Sequence, residues 1–200
     1  TTLITLLPSL VIMCSSFTRY IIALSFLRNA MGTQQTPPNM VLVGMALILS
    51  LFTMAPTLSA INEQAYQPYQ AEEIGQQEFF TRAQVPLKEF MIDHTELQSL
   101  RLYCNMAGMD LPEDKEEGLA LPLTVIIPAF VTTELKMAFQ IGFLLYIPFM
   151  LIDMVVASTL MSMGMIMLPP SMISTPFKLL LFILLDGWQL LFSTLVQGFR

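Results

Sequence analysis

The sequence predicts an all-α membrane protein in which two long helical hairpins flank a small helical insert. Three observations carry that expectation. Of 200 residues, 54% are hydrophobic and only 12% are charged, where a soluble domain carries about 25% charged residues. The charge is also segregated. Residues 62–122 hold twelve acids and four bases, net −8, whereas the remaining 139 residues hold three acids (Glu134, Asp153, Asp186) and five bases (Arg19, Arg28, Lys136, Lys178, Arg200). Finally, four apolar stretches each reach the roughly 20 residues that a bilayer-spanning helix needs. Lipid demands helix, because an open sheet cannot satisfy its backbone polar groups there.

The N-terminal hairpin occupies residues 1–61. Its first stretch runs from Leu3 to Leu27, interrupted by Arg19, and its second from Met40 to Ile61 without a charge. The chain opens without a methionine, which fits a trimmed or processed N-terminus from which a signal peptide is already gone. The insert, residues 62–122, carries short helical patterns over Glu72–Phe90 and Glu96–Ala107, with Ile74, Phe79, Phe80, Leu87, Phe90 and Met91 as spaced apolar positions. Pro86 is expected to break the first pattern. Its acidity argues against nucleic acid as a partner. Neither Cys14 nor Cys104 has metal-ligand spacing, and a disulfide between a membrane segment and a distant loop is not expected.

The C-terminal hairpin occupies residues 123–200, with a third stretch over Met137–Leu168 and a fourth over Phe177–Phe199. As a single helix the third would reach roughly 48 Å, against a hydrocarbon core of about 30 Å. Pro148 is therefore expected to kink it, and Gly164 with Pro169 and Pro170 to end it. The first hairpin tip, Arg28–Asn39, has one base and no acid. Positive-inside counting then places both tips on the cytoplasmic side and the acidic insert outside.

Two charges stand out inside the apolar stretches. Asp153 and Lys178 each cost about 2.5–3.5 kcal/mol at membrane depth, so pairing is expected, within a chain or between neighbouring copies. Such a pair either fixes hairpin register or serves assembly or gating. Arg19 and Glu134 invite the same reasoning nearer an interface. Asp186, in LDGWQLL, is expected at the far end of its helix, within reach of water. A carboxylate dyad can hydrolyse peptides, but Asp153 and Asp186 lack glycine-rich flanks. There is no HExxH, GxSxG, P-loop or paired His/Cys cluster. The one histidine, His94, reads as a solvated surface residue. No catalytic residue, metal site or cofactor is expected.

Residues 161–167 read MSMGMIM, followed by Leu168, Pro169 and Pro170. Three explanations compete. Thioethers suit Cu(I), so a copper-handling membrane transporter is one alternative. In a helix, however, Met161 and Met165 share one face and Met163 and Met167 another, and no His or Cys stands nearby. Core filler is the second, since Met packs into irregular gaps and the chain has sixteen. It leaves unexplained why four gather at a tip bounded by Gly and Pro. The third is a deformable seal around something that passes through. On the residues alone all three stay open.

Longer strings add a resemblance. LRNAMGTQQTPPN (Leu27–Asn39), PAFVTTELKMAFQIGF (Pro128–Phe143), IPFMLIDMVVASTLMSMGMIMLPP (Ile147–Pro170), PFKLLLF (Pro176–Phe182) and LDGWQLL (Leu185–Leu191) closely resemble the FliP family of flagellar type III export-gate proteins. Its injectisome counterpart is the SctR family. The likeness covers nearly the whole chain, weakens only in the insert, and favours the flagellar branch through the first string. The injectisome gate, with a different cargo, is the alternative. The resemblance implies a non-enzymatic homo-pentamer without cofactors, assembled as a ring or helical oligomer with FliQ and FliR, and with FlhB nearby. It further implies a place in the flagellar basal body at the bacterial inner membrane, largely above the bilayer plane, where unfolded flagellar subunits pass through a central pore. It puts a gasket at Met165, Ile166 and Met167, flanked by Met161, Met163, Gly164, Pro169 and Pro170, and paired charges at Asp153 and Lys178. Ile166 departs from the family's unbroken Met run, and isoleucine is stiff at χ1.

Overall fold

The computed structural model describes residues 12–33, 35–165 and 167–199. All regular structure among the described residues is helical. Helix α1 spans Phe17–Ala30 and α2 spans Asn39–Ile61. A π-helical turn, Asn62–Tyr66, carries α2 into the short α3, Gln67–Gln70. The insert continues with α4 (Gln76–Asp93), α5 (Leu97–Ala107) and α6 (Lys115–Ala120). Then follow α7 (Leu123–Ser162), α8 (Pro170–Leu184) and α9 (Gly187–Gln197).

Four spans were expected; among the described residues, two helices are long and apolar enough to cross a bilayer, Asn39–Gln70 and α7. A third arises only if α8 and α9 are taken together across their 65° bend. The first stretch is described only from Ile12, and its helix α1 has 14 residues. The fourth stretch breaks in the middle. Asp186 adopts a left-handed conformation, φ +48°, which aspartate tolerates better than most residues. At Gly187 an added Cβ would lie 2.3 Å from the Phe182 ring, so only glycine lets the chain turn against that ring. Asp186 therefore sits at an elbow and not at the far end of a helix.

One proline expectation also changes. Helix α4 runs through Pro86 without breaking, with Pro86, Phe90 and Met91 on its buried face. A proline removes one N–H and strains one turn, and burial of that face offsets the loss. Helix α7 continues through Pro128, Gly142 and Pro148 for forty residues, roughly 60 Å. His94 is no free surface residue. It is half-buried, ends α4, has Nδ1 2.7 Å from the Phe90 carbonyl oxygen, and its ring lies 4.5 Å from that of Phe90.

The chain divides into two compact units. One holds Ser50–Lys136 together with the described residues up to Thr18. Its core includes Phe90, Met91, Leu100 and Cys104 with Ile126, Ala129 and Phe130, and the Phe90 and Phe130 rings pack edge to face at 5.8 Å. Polar clasps fix the register. The Glu96 N–H donates to Thr133 Oγ1, which donates to the Ala129 carbonyl, and Lys136 pairs with Glu96. Lys88 donates to the carbonyls of Leu119 and Leu121 at 3.0 and 2.8 Å; burial pushes its pKa down. Burial pushes the Cys104 thiol up, away from the reactive thiolate. The first fourteen residues of α7 thus belong with the insert helices.

The other unit holds Arg19–Leu49 and Met137 onward. Helix α1 buries Tyr20, Ala23, Leu24, Leu27 and Ala30, the three-and-four spacing of a helix with one covered face. Gly142 admits α1 to α7, since a Cβ there would lie 2.5 Å from Phe26. The Phe26 ring packs edge-on against Phe139 and Tyr146 at 5.3 and 6.2 Å.

Candidate functional site

Helix α8 carries Ser174 and Lys178 four residues apart, so the two side chains share a face. That face meets Asp153 of α7. Lys178 Nζ lies 2.7 Å from Asp153 Oδ2, and Ser174 Oγ donates to Oδ1 at 2.6 Å. Both carboxylate oxygens are thereby engaged. Lys178 also donates to the Ala30 carbonyl at 3.1 Å. That oxygen is one of the last-turn carbonyls of α1, which have no partner within their own helix, and a cation is favoured there. The pair is formed within one chain and ties three helices.

The Lys178 side chain is 6% exposed and the Asp153 side chain 42%. The cation is therefore the committed member, and the carboxylate looks outward. Gly32, just beyond α1, has φ +74°, and a Cβ there would sit 3.0 Å from Thr175 Oγ1. Only glycine allows α8 to come this close to the turn. Charge cost alone points to Asp153 and Lys178. Ser174 and Gly32 went unread, although the four-residue step to Lys178 and the LRNAMG turn were visible; the Ala30 carbonyl leaves no mark in a sequence.

Arg19 is buried, donates from Nη1 to the Gly198 carbonyl at 2.9 Å, and stacks 3.7 Å over the Phe199 ring. It thereby closes the C-terminal end of α9. Glu134 is fully buried in the other unit.

The methionine tip is built differently. At the end of α7 the Gly164 N–H donates to the Met161 carbonyl and the Met165 N–H to the Leu160 carbonyl, at 3.1 and 2.9 Å. With Gly164 at φ +74°, these bonds make a Schellman cap. The end of α7 is thus capped. Pro169 then precedes α8, and Pro170 opens it, where a missing N–H costs nothing. Met161 and Met163 are each 65% exposed and Met167 is 99% exposed; Met165, Pro169 and Pro170 are exposed as well. Ile166 lies outside the described residues. Beside the tip, Leu151, Val155, Leu160, Met163, Ile173 and Phe177 line an open apolar groove of about 640 Å³. Among the described residues no three His, Cys, Asp or Glu gather as a metal site.

An all-helical chain with two or three bilayer-length apolar segments among its described residues has the makings of a membrane-associated protein. A model of the FliP family matches residues 1–195. The chain is 52% identical over 198 residues to the flagellar biosynthetic protein FliP of Bacillus subtilis, covering 99% of this chain and 88% of that one. It is 48% identical over 200 residues to the FliP protein of Aquifex aeolicus, covering all of this chain and 83% of that one. With the FliP protein of Pectobacterium carotovorum it shares 49% over 198 residues, 99% of this chain and 76% of that one. The chain belongs to the FliP family, and it is a membrane-associated component of flagellar biosynthesis and protein export.

Proposed function

We propose that this chain is a pore-forming subunit of the flagellar type III export gate. In this reading copies assemble as a homo-oligomeric ring, a pentamer, with FliQ-, FliR- and FlhB-like proteins at the bacterial inner membrane. The acidic insert lies on the periplasmic side, and unfolded flagellar subunits pass through the centre. The chain performs no reaction; partners supply the driving force.

The observation that carries the reading is the tip: exposed thioethers on a glycine-capped bend, in a region without charge. Burying one Met side chain is worth about 1.5–3 kcal/mol, so a tip this bare calls for apolar company. Tips that converge from each copy supply it. Met165, Ile166 and Met167 close against one another and exclude water, while Met161 and Met163 back them. Methionine has three rotatable bonds and adapts to irregular shapes, so a passing polypeptide replaces Met–Met contacts with its own at little cost. The Schellman cap holds the bend rigid while the side chains yield. Asp153, Lys178 and Ser174 clamp the two arms of the hairpin to α1 and hold the tip in place for assembly.

Cross-linking tests the convergence. Met167→Cys chains, purified as the assembled complex and treated with a short bismaleimide, are expected to join in pairs as covalent dimers, since each chain offers one exposed thiol. The buried Cys14 and Cys104 supply the background, read from the unsubstituted chain. Ring-sized particles that yield no dimers above that background would place the tips apart and reject the gasket.

A further inference from the structure

Besides Arg19, the described charged residues of the second unit are Arg28, Asp153, Lys178 and Asp186. Asp153 and Lys178 satisfy each other. Arg28 and Asp186 have no ion partner among the described residues. The Arg28 guanidinium reaches the Pro37 carbonyl and Asn39 Oδ1 only at 3.4 and 3.5 Å, and its buried Nε has no acceptor there. Asp186 is exposed and makes no side-chain cap at the start of α9, so its carboxylate is free to accept. Its sequence neighbours Ile183, Leu184, Leu185 and Leu190 are exposed as well. Leu27, which precedes Arg28, and Leu185 and Gly187, which flank Asp186, line one apolar groove of about 330 Å³. The unit therefore presents one cation at the α1–α2 turn and one anion at the α8–α9 elbow, neither with an ion partner among the described residues. Each is next in sequence to residues that line an apolar groove.

We propose that Arg28 of one copy pairs with Asp186 of the next, so that the α8–α9 elbow packs on the α1–α2 turn of its neighbour. The inference rests on the ring reading above. A ring is built from heterologous contacts, each copy offering two different patches. One Arg28 and one Asp186 per copy satisfy every junction with none left over. Lipid headgroups are a poorer occupant, because their phosphates repel the Asp186 carboxylate while attracting Arg28. A guanidinium also matches a carboxylate in two parallel hydrogen bonds, which fixes angle as well as distance at each junction.

Two chains with different tags, one carrying Arg28→Cys and the other Asp186→Cys, are co-expressed, and the purified complex is treated with a short bismaleimide. Because each chain has one introduced thiol, a dimer carrying both tags reports only a junction between copies. The expected result is such dimers in ring-sized particles, well above the background of unsubstituted chains. Charge reversal supports it: Arg28→Glu and Asp186→Lys each lower ring yield about tenfold, and the two together in every chain restore it. If either cysteine chain fails to assemble, the exposed neighbours Asn29→Cys and Gln189→Cys read the same junction. Ring-sized particles without mixed dimers overturn the pairing and leave these charges to lipid or water. A wild-type complex of monomer size overturns the ring reading instead.

Discussion

Lys178 and Asp153 are unequal partners, and the inequality sets what each substitution does. Asp153→Asn leaves a nearly buried ammonium with only a serine-oriented amide and the Ala30 carbonyl, and is expected to cost about 1–3 kcal/mol of stability. Lys178→Met removes the buried charge itself and leaves a carboxylate that water already reaches, so it is expected to cost less. Thermal unfolding in detergent compares the two, and equal losses contradict this assignment of burial. At Gly32, alanine meets both a left-handed backbone and Thr175 Oγ1 at 3.0 Å. Gly32→Ala is expected to lower stability by about 1–2 kcal/mol, and Thr175→Ala in the same chain to return part of it. Charge cost made Asp153 and Lys178 legible in the sequence because lipid penalises lone ions so steeply. A backbone carbonyl such as that of Ala30 has no residue type of its own, so the third member of the clamp stayed hidden.

Helix boundaries were read less well than helix existence, for reasons that differ by element. Pro86 looked like a breaker because a proline removes a backbone donor. The buried face it shares with Phe90 and Met91 outweighs one lost bond, and tertiary packing of that kind has no local signature. Helix α7 starts at Leu123, before the apolar run, because residues 123–136 pack in the insert unit and follow its polar clasps rather than hydropathy. The α8–α9 elbow was missed because LDGWQLL is apolar on both sides, although Asp-Gly is a turn signal. Asp186→Gly removes the strain of φ +48° and is expected to stabilise the isolated chain by about 1 kcal/mol. If Asp186 also pairs with a neighbour, the same substitution lowers ring yield. A variant that is less stable and assembles normally contradicts both statements.

At the scale of the molecule, most of the bilayer-length windows in α2 and α7 remain uncovered within the chain. Apolar surface of this extent marks contact with membrane or with other chains. The insert, with net charge −8, stays polar. The all-helical class was legible because composition and stretch length both pointed to it, and nearly full-length likeness to FliP proteins supplied what composition lacks. The methionine string raised the question of a seal. The bonds that make its bend a rigid cap depend on backbone geometry and became visible only in the fold.

Small-ion conductance through the closed, assembled gate tests the seal most directly. Replacing Met165, Ile166 and Met167 together by glycine removes the three side chains proposed to close the pore while leaving Gly164 in place. Membranes carrying the wild-type complex are expected to stay tight, and those carrying the triple variant to leak ions without export substrate. Equal tightness of the two, at equal amounts of ring-sized complex, contradicts a gasket at this tip.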